Sequence, residues 1–397
     1  MRVCLVYDCL YPHTVGGAER WYGALAAEFV GAGHEVTYLT RRQWRDGETP
    51  GTPGVRVVAV SRGGDLYSEE GRRRIRPPLS FAAGVFRHLA ANRRRYDAIH
   101  TCSFPFFSLF AIRLALVGRG TPLSVDWFEV WTAEYWKRYL GRVGGRLGHA
   151  VQRLCARLTP RAYVFSRVHG TRLRAEGARG PVERLTGLYG GSSRPSARPE
   201  AAEPLVVFAG RHIAEKRPEL IPPAVVEARR RIPGLKGLIL GDGPRREAAL
   251  EAIRRSNAED FVCAPGFVAA ERVESSLRHA LCMLLTSERE GYGLVVVEAA
   301  AMGTPSVVVA GPDNAAVELI VEGENGYVAP SADAESVADA IVRVHDDGED
   351  LRERTAAWFA RSADELSAAG SMRRVVADYA GTSAGRGLDG AAPAARS

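Results

Sequence analysis

No stretch of this sequence approaches the about 20 consecutive apolar residues that a membrane-spanning helix needs, which excludes a spanning helix. The six cysteines (Cys4, Cys9, Cys102, Cys155, Cys263, Cys282) are scattered without C-x-x-C spacing, so a zinc ribbon, a redox pair and a disulfide framework all fall away. Several of them lie in apolar, strand-like text, and buried free thiols in a reducing cytoplasm are expected. No cluster with metal-ligand spacing is visible, and no metal or other cofactor is expected. The opening Met1-Arg2-Val3-Cys4-Leu5-Val6-Tyr7 lacks a small-residue cleavage site and runs into Asp8, so it reads as a strand rather than a signal peptide. The G-x-G-x-x-G fingerprint of dinucleotide-binding turns is missing as well.

What is present is length, glycine turns and an uneven charge. The 397 residues suffice for two α/β domains of ordinary size. The formal net charge is +7, but residues 1–195 carry 30 Lys and Arg against 15 Asp and Glu, so the first part is +15 and the remainder −8. Such asymmetry suits an anionic neighbour for the first half: a membrane surface, a phosphorylated acceptor, or the acidic second half itself. Solvated, arginine-rich helix faces account for the same numbers.

In chain order, a strand over residues 1–8 leads into a glycine loop, Val15-Gly16-Gly17-Ala18-Glu19-Arg20, and a helix to about residue 30. Its Trp21, Leu25, Ala26 and Phe29 make one apolar stripe. A second strand over 35–40 completes a βαβ opening with glycines at its first turn. A strand over 55–60, a basic loop over 71–78 and a helix over 81–91 precede a strand that ends in His100-Thr101-Cys102-Ser103. The next strand exits through Asp126-Trp127-Phe128-Glu129. Residues 131–139 mix aromatic and charged side chains, which suits a sugar-stacking or interfacial surface and equally suits the core packing of a helix. A helix over 148–158 carries arginines on one side, and 162–166 is a short strand.

The second half opens with an apolar strand over 205–209 and continues Gly210-Arg211-His212-Ile213-Ala214-Glu215-Lys216. A strand over 237–240 ends in Gly241-Asp242-Gly243-Pro244, and Pro265-Gly266-Phe267-Val268 forms a sheet edge. The organising stretch is 287–305. It follows an apolar strand over 280–285, turns at Gly291-Tyr292-Gly293, and enters the Ala-rich helical text from Leu294 to Met302. A glycine turn feeding a helix N-terminus offers N–H groups and positive dipole to a phosphate. Two carboxylates, Glu290 and Glu298, bracket it. A glutamate pair at a helix start is also favoured by the dipole alone. Further on come a strand over 306–310, a helix over 332–345, helical text over 351–379 and a Gly/Ala/Ser-rich tail.

On these residues the chain resembles the retaining glycosyltransferases of the large family-four group (glycosyl transferases group 1). The likeness rests on E-x7-E (Glu290, Glu298), on Ala-x-Gly-x-Pro over 301–305, and on Gly210-Arg211 with Lys216 five residues after the arginine. Gly16-Gly17 before Ala-Glu-Arg and the turn at Gly241 match too. The likeness covers nearly the whole chain and is strongest over 205–330. It implies a GT-B fold, an α/β architecture of two Rossmann-like domains facing across a cleft. The expected domains are 1–190, a linker 191–204, and 205–360, with a helix 361–380 crossing back to the first domain and a disordered tail 381–397.

The resemblance also implies roles. Arg211 and Lys216 clamp the diphosphate of a nucleotide sugar, with UDP or GDP as the expected nucleotide. Glu290 holds the sugar hydroxyls and Glu298 the ribose. Gly210, Gly241, Phe267, Val268, Gly291, Tyr292, Gly293 and Leu294 complete the donor side, with Gly16 and Gly17 approaching donor phosphates and acceptor. His100, Trp127 and Phe128 fall on the acceptor side, where a small-molecule, lipid or glycan hydroxyl is the expected partner. Relatives present a His after the fifth strand; here Phe128 stands in its place, so Asp126 and Glu129 take over polar contacts, or the His role is dispensable, or the acceptor differs in kind. The implied activity is a hexosyl transfer in bacterial natural-product, antibiotic or envelope biosynthesis. The alternatives are a sugar-nucleotide epimerase, a glycan phosphorylase (for which no cofactor-lysine motif is visible), or a non-catalytic nucleotide-sugar-binding or partner subunit. No nucleic-acid partner is expected. The chain is placed in the cytoplasm, with peripheral contact at the inner face of the membrane through the basic first half as a further expectation, and the number of subunits is left open.

Overall fold

Each half of the chain folds its apolar segments into a parallel sheet. The structure, a computed structural model, describes residues 1–14, 16–45, 47–48, 50–66, 74–191 and 202–388. Two units separate: the first comprises residues 1–165, 169–186 and the C-terminal segment from 368, and the second residues 166–168 and 187–367.

The first unit contains β1 (Arg2–Val6), α1 (Gly17–Gly31), β2 (Glu35–Arg41), β3 (Val55–Ser61), α2 (Arg76–Ala91) and β4 (Ala98–Cys102). It continues with α3 (Phe107–Ala115), β5 (Leu123–Trp127), α4 (Ala133–Leu158), β6 (Ala162–Val164), most of α5 (Arg167–Ala175) and β7 (Val182–Arg184). The sheet order is β3-β2-β1-β4-β5-β6-β7 with every pairing parallel, the doubly wound order of a Rossmann-like domain. β1, β4 and β5 are buried almost throughout because helices cover both faces of such a sheet, which is why they read as continuous apolar runs rather than alternating ones. Register places Val6 beside Thr101 and Cys102 beside Asp126, so the carboxyl ends of these strands lie together.

The second unit repeats the plan: β8 (Glu203–Ala209), α6 (Ile221–Arg229), β9 (Lys236–Leu240), α7 (Arg246–Arg255), β10 (Val262–Gly266), α8 (Ala270–His279) and β11 (Ala280–Leu285). There follow β12 (Arg289–Glu290), α9 (Leu294–Ala301), β13 (Ser306–Val309), β14 (Asp313–Asn314), β15 (Gly326–Ala329) and α10 (Ala334–Leu366). Its sheet runs β10-β9-β8-β11-β13-β15, again parallel, and β12 pairs separately with β14. An arginine that no motif flagged is part of this core. Arg352 is buried, donating to the carbonyls of Ala280 at 2.7 Å and Arg278 at 2.8 Å where α8 hands over to β11.

The C-terminal helix α11 (Ala368–Leu388) packs on the first unit, and it starts at Ala368 rather than at the expected residue 361. The reason is local. Helix α10 absorbs a kink at Gly348 (φ 57°) and continues to Leu366, where extended Ser367 breaks it. Tyr379 then donates to Ile99 O at 2.9 Å, and Asp378 accepts from Tyr163 Oη at 2.7 Å and Arg161 Nη1 at 2.8 Å. α11 continues to Leu388, into the segment read as tail, while 389–397 lie outside the described residues. Most of the linker (192–201), and residues 71–73 of the basic loop, lie outside them too. Helix α3, whose text Phe107-Ser108-Leu109-Phe110 is mostly apolar, was not anticipated. Among the described residues no helix is long and apolar enough to cross a membrane.

Candidate active site

In the second unit the candidate residues gather on loops at the carboxyl ends of β8, β9 and β11, the edge where open parallel sheets hold ligands. After β8 the chain tightens: Ile213 N donates to Arg211 O at 3.0 Å and Lys216 N to Ile213 O at 3.0 Å. Arg211 is exposed, and its side chain makes no hydrogen bond or ion pair among the described residues. Lys216 is largely enclosed, and its Nζ pairs with Glu290 Oε1. Ser287 Oγ donates to that same oxygen at 2.6 Å. Glu290 is buried on β12, whose partner strand contributes Asn314, and Asn314 Nδ2 donates to Ser287 O at 3.1 Å. This buried carboxylate is thus held by a cation and a hydroxyl, partners of the kind that keep a carboxylate charged away from water.

The turn after Glu290 needs its glycine. Gly293 has φ 98°, and a Cβ there would come within 2.4 Å of Ala316 Cβ. It caps α9; Val296 N donates to Gly293 O at 2.9 Å, and the helix's first N–H groups point towards the end that attracts anions. Gly291 borders this turn, Tyr292 is buried and Leu294 is half-buried. Glu298 is the fifth residue of α9, just past its first turn, and half-buried. Tyr189 senses it: burial first, and then the Glu298 charge, hold the Tyr189 phenol above its ordinary pKa.

Gly210 N donates to Leu240 O and His212 N to Asp242 O, tying the clamp loop to the Gly241 turn. At Gly241 (φ 122°) a Cβ would lie 1.9 Å from Gly210 O, so only glycine fits. His212 is fully buried, with no partner for either ring nitrogen among the described residues, and burial lowers its pKa. Phe267 follows β10 with 83% of its surface open, a bare aromatic face, and Val268 packs partly against the core beside it.

In the first unit the structure places the candidates less openly. Gly16 is an extended N-cap for α1, and its missing side chain makes room for the Glu19 carboxylate, which accepts from Tyr7 Oη at 3.2 Å. Gly17 is the first helical residue. His100 and Asp126 are both fully buried: His100 Nε2 lies 3.0 Å from Asp126 Oδ2, and Trp21 Nε1 donates to the same oxygen at 2.8 Å. His100 also stacks on Tyr163, and its Nδ1 lies 3.3 Å from Tyr379 Oη. Trp127 is fully buried, donating to Thr159 Oγ1 at 3.2 Å. His100 and Trp127 both sit in inner strands, where helices cover both faces. Asp126 is likewise enclosed, in a structural network. Phe128 is half-buried, stacked on Phe165 with centroids 4.7 Å apart and planes 5° apart. Glu129 accepts from Trp131 Nε1 at 2.7 Å. Of the aromatic run, Tyr135 and Trp136 are buried and pack with Trp131 and Phe106, so core packing describes it better than a stacking surface.

Sequence models describe both halves. Residues 16–187 match a "glycosyl transferase 4-like domain" and residues 192–357 match "glycosyl transferases group 1". The chain belongs to the group 1 glycosyltransferase family. Among curated proteins it is similar to an alpha-D-kanosaminyltransferase of Streptomyces kanamyceticus, 35% identical over 172 residues, which is 43% of this chain and 44% of that one. The chain thus spans less than half the length of the first curated relatives it matches. Among solved structures it resembles a sucrose-phosphate synthase of Thermosynechococcus elongatus, with a TM-score of 0.76, 18% identity, and 97% of this chain and 99% of that one covered. It also resembles Anabaena HepE in complex with UDP, with a TM-score of 0.71, 15% identity, and 96% and 100% covered. These structures fix the fold as GT-B.

Within that family frame, motif reading passed over Ser287, which donates to Glu290, and Tyr189, which feels the Glu298 charge. A serine three residues before Glu290 was visible in the sequence. Tyr189, more than a hundred residues from Glu298, gave no local signal.

Proposed function

We propose that the chain is a retaining glycosyltransferase that moves a hexosyl group from a nucleoside-diphosphate sugar to an acceptor hydroxyl. The observation that carries this is the Lys216–Glu290 pair with exposed Arg211 on the adjoining loop, all at the strand ends of the second unit. Arg211 and Lys216 are suited to neutralise the diphosphate as the glycosidic bond breaks, and the α9 N-terminus adds N–H donors. These groups supply the charge without a metal. Glu290, steered by Lys216 and Ser287, is placed to accept hydrogen bonds from sugar hydroxyls, and Glu298 from a ribose. Phe267 offers an open face to a base. The acceptor hydroxyl attacks the anomeric carbon on the side from which the diphosphate leaves, and a leaving phosphate oxygen takes its proton. The bond to the phosphate oxygen breaks as the new glycosidic bond forms.

UDP is the first nucleotide to test, because a structure of this fold is held with it. A relative named 2-deoxystreptamine N-acetyl-D-glucosaminyltransferase, with the kanosaminyltransferase, supports a small molecule of antibiotic biosynthesis as acceptor. A lipid-borne acceptor would bring the chain to a membrane surface, and the +15 of residues 1–195 suits an anionic one.

The stacking of Phe128 on Phe165 favours one second reading, a nucleotide-sugar-binding subunit without turnover, because it puts an apolar pair where relatives present a His. Calorimetric titration with UDP-, GDP-, ADP- and TDP-sugars tests the main reading. One nucleotide class binding tightly to the wild type and weakly to Glu298→Ala and Lys216→Ala supports it. Binding of none, or binding indifferent to both changes, rejects it. Turnover with any acceptor eliminates the second reading.

A further inference from the structure

Among the described residues, eleven large apolar side chains are exposed, and eight of them lie on α2, α3 and α4 of the first unit or at their ends: Ile75, Leu79, Leu114, Val117, Leu140, Val143, Leu147 and Leu154. A soluble surface scatters such residues singly, whereas their concentration on consecutive helices marks an interaction site. The pattern is sharpest on α4. This helix reverses at Gly141 (φ 76°), and its second segment folds back onto the first: a Cβ at Gly145 would meet Lys137 Cα at 2.5 Å, and one at Gly148 would meet the Trp136 ring at 2.4 Å. The inward face of that second segment is thereby fixed, with Gly145, Gln152, Cys155 and Ala156 buried. The outward face follows at i, i+4 and i+11: Val143 is 71% exposed, Leu147 65% and Leu154 48%.

Charge says what covers it. The 41 residues between Glu134 and Glu176 contain no Asp or Glu and ten Lys or Arg. Four of these cations, Arg142, Arg146, Arg153 and Arg157, lie on the second segment of α4 and are exposed beside the apolar stripe. Arg142, Arg146 and Arg157 form no ion pair among the described residues. A protein partner of mixed charge would leave this run of like charges uncompensated. An anionic lipid surface offers phosphates at the level of the arginines and acyl chains to the apolar residues, the arrangement an interfacial helix requires.

We infer that the second segment of α4 is an interfacial helix that docks the first unit on an anionic bilayer, with Val143, Leu147 and Leu154 entering the acyl boundary and the arginines engaging lipid phosphates. The inference deepens the membrane contact proposed above and does not depend on the transfer chemistry.

Pelleting the full chain with phosphatidylcholine vesicles, and with equimolar phosphatidylcholine–phosphatidylglycerol vesicles, tests it. Binding to the anionic vesicles alone is expected, weakened by salt. Arg142→Gln/Arg146→Gln should lower that affinity about thirty-fold, given about fivefold from each arginine at such a surface. Val143→Ser/Leu147→Ser should abolish the part of the binding that survives high salt. Both pairs are exposed, so unchanged melting and unchanged nucleotide titration would show that the fold and the donor site are intact. Failure of the wild type to pellet with either vesicle, or equal pelleting of all three proteins, would overturn the inference. So would a dimer in sedimentation velocity that Val143→Ser/Leu147→Ser dissociates, which would make the face a contact between two copies. Vesicle binding by a chain that binds no nucleotide would sink the transferase reading and leave this one standing.

Discussion

The two units share a sheet order and treat their strand ends in opposite ways. In the first unit the carboxyl ends of β4 and β5 are sealed: His100, Asp126, Trp21 and Tyr379 bond to one another out of reach of solvent, and α11 closes over them. In the second unit the matching edge keeps its charges in reach: Arg211 is exposed, Lys216 is partly so, and Glu290 pairs with Lys216 and accepts from Ser287. One topology thus serves two ends. Where polar groups bond to one another away from solvent they rigidify a core, and where cations stay within reach of solvent they can still stabilise an incoming anion. Comparing the two edges therefore says more about the site than comparing either with its own motif.

The largest expected effect tests the open edge. Glu290→Gln keeps the shape and removes the charge, and should lower kcat/KM about 10²–10³-fold, the magnitude seen when one group stabilising a transition state is lost. Steady-state rates with the donor identified by calorimetry would show this, and an unaffected rate would mean that the edge is structural in both units. Next in size is Arg352→Ala, which strips a buried guanidinium from two carbonyls and leaves a void; a loss of about 3 kcal/mol is expected in denaturant unfolding, with nucleotide affinity in the folded protein unchanged. Tyr379→Phe examines the sealed edge. It removes the bond to Ile99 O and should cost about 1 kcal/mol of stability while donor binding stays as in wild type. A fall in turnover larger than the loss of folded protein would show that the sealed network reaches the chemistry, and the contrast between the units would fail.

The smallest effect is a pH dependence. Burial holds the folded-state pKa of His212 below its ordinary 6.5. The unfolded chain therefore takes up a proton near pH 6.5 that the folded chain refuses until lower pH. This group costs nothing above about 6.5, and stability falls as pH drops from there towards the depressed value. His212→Gln should flatten that part of the profile, read from denaturant midpoints over the range. Parallel profiles would assign the acid sensitivity to other groups.

Much of the second unit was legible because its signals are local. Gly210-Arg211 with Lys216, and Glu290 with Gly293 and Glu298, each lie within one strand–turn–helix unit, where backbone geometry forces glycine and spacing sets which side chains share an edge. The doubly wound fold was legible in the same way, from apolar runs separated by helical stripes. The burial of the acceptor-side candidates was not legible in this way. His100 and Trp127 stand at strand ends, and nothing in their neighbours' identity says whether a helix closes above them. α11, nearly three hundred residues away, does so for His100. The aromatic run near Trp131 carried two meanings of equal weight until the reversal at Gly141 turned Trp136 inward.

The sequence by itself therefore determined which turns must be glycine, which segments are buried strands, and that a cation pair and Glu290 sit beyond strand ends of the second half, with Glu298 in the helix that follows. Those follow from short-range sterics and periodicity. Only the tertiary structure decided that Lys216 meets Glu290 across seventy-four positions, that Arg352 is buried, and that His100 and Asp126 are enclosed while Val143 and Leu147 are bare. Solvent exposure and ion pairing depend on which distant surfaces close over a residue, and no local spacing encodes that.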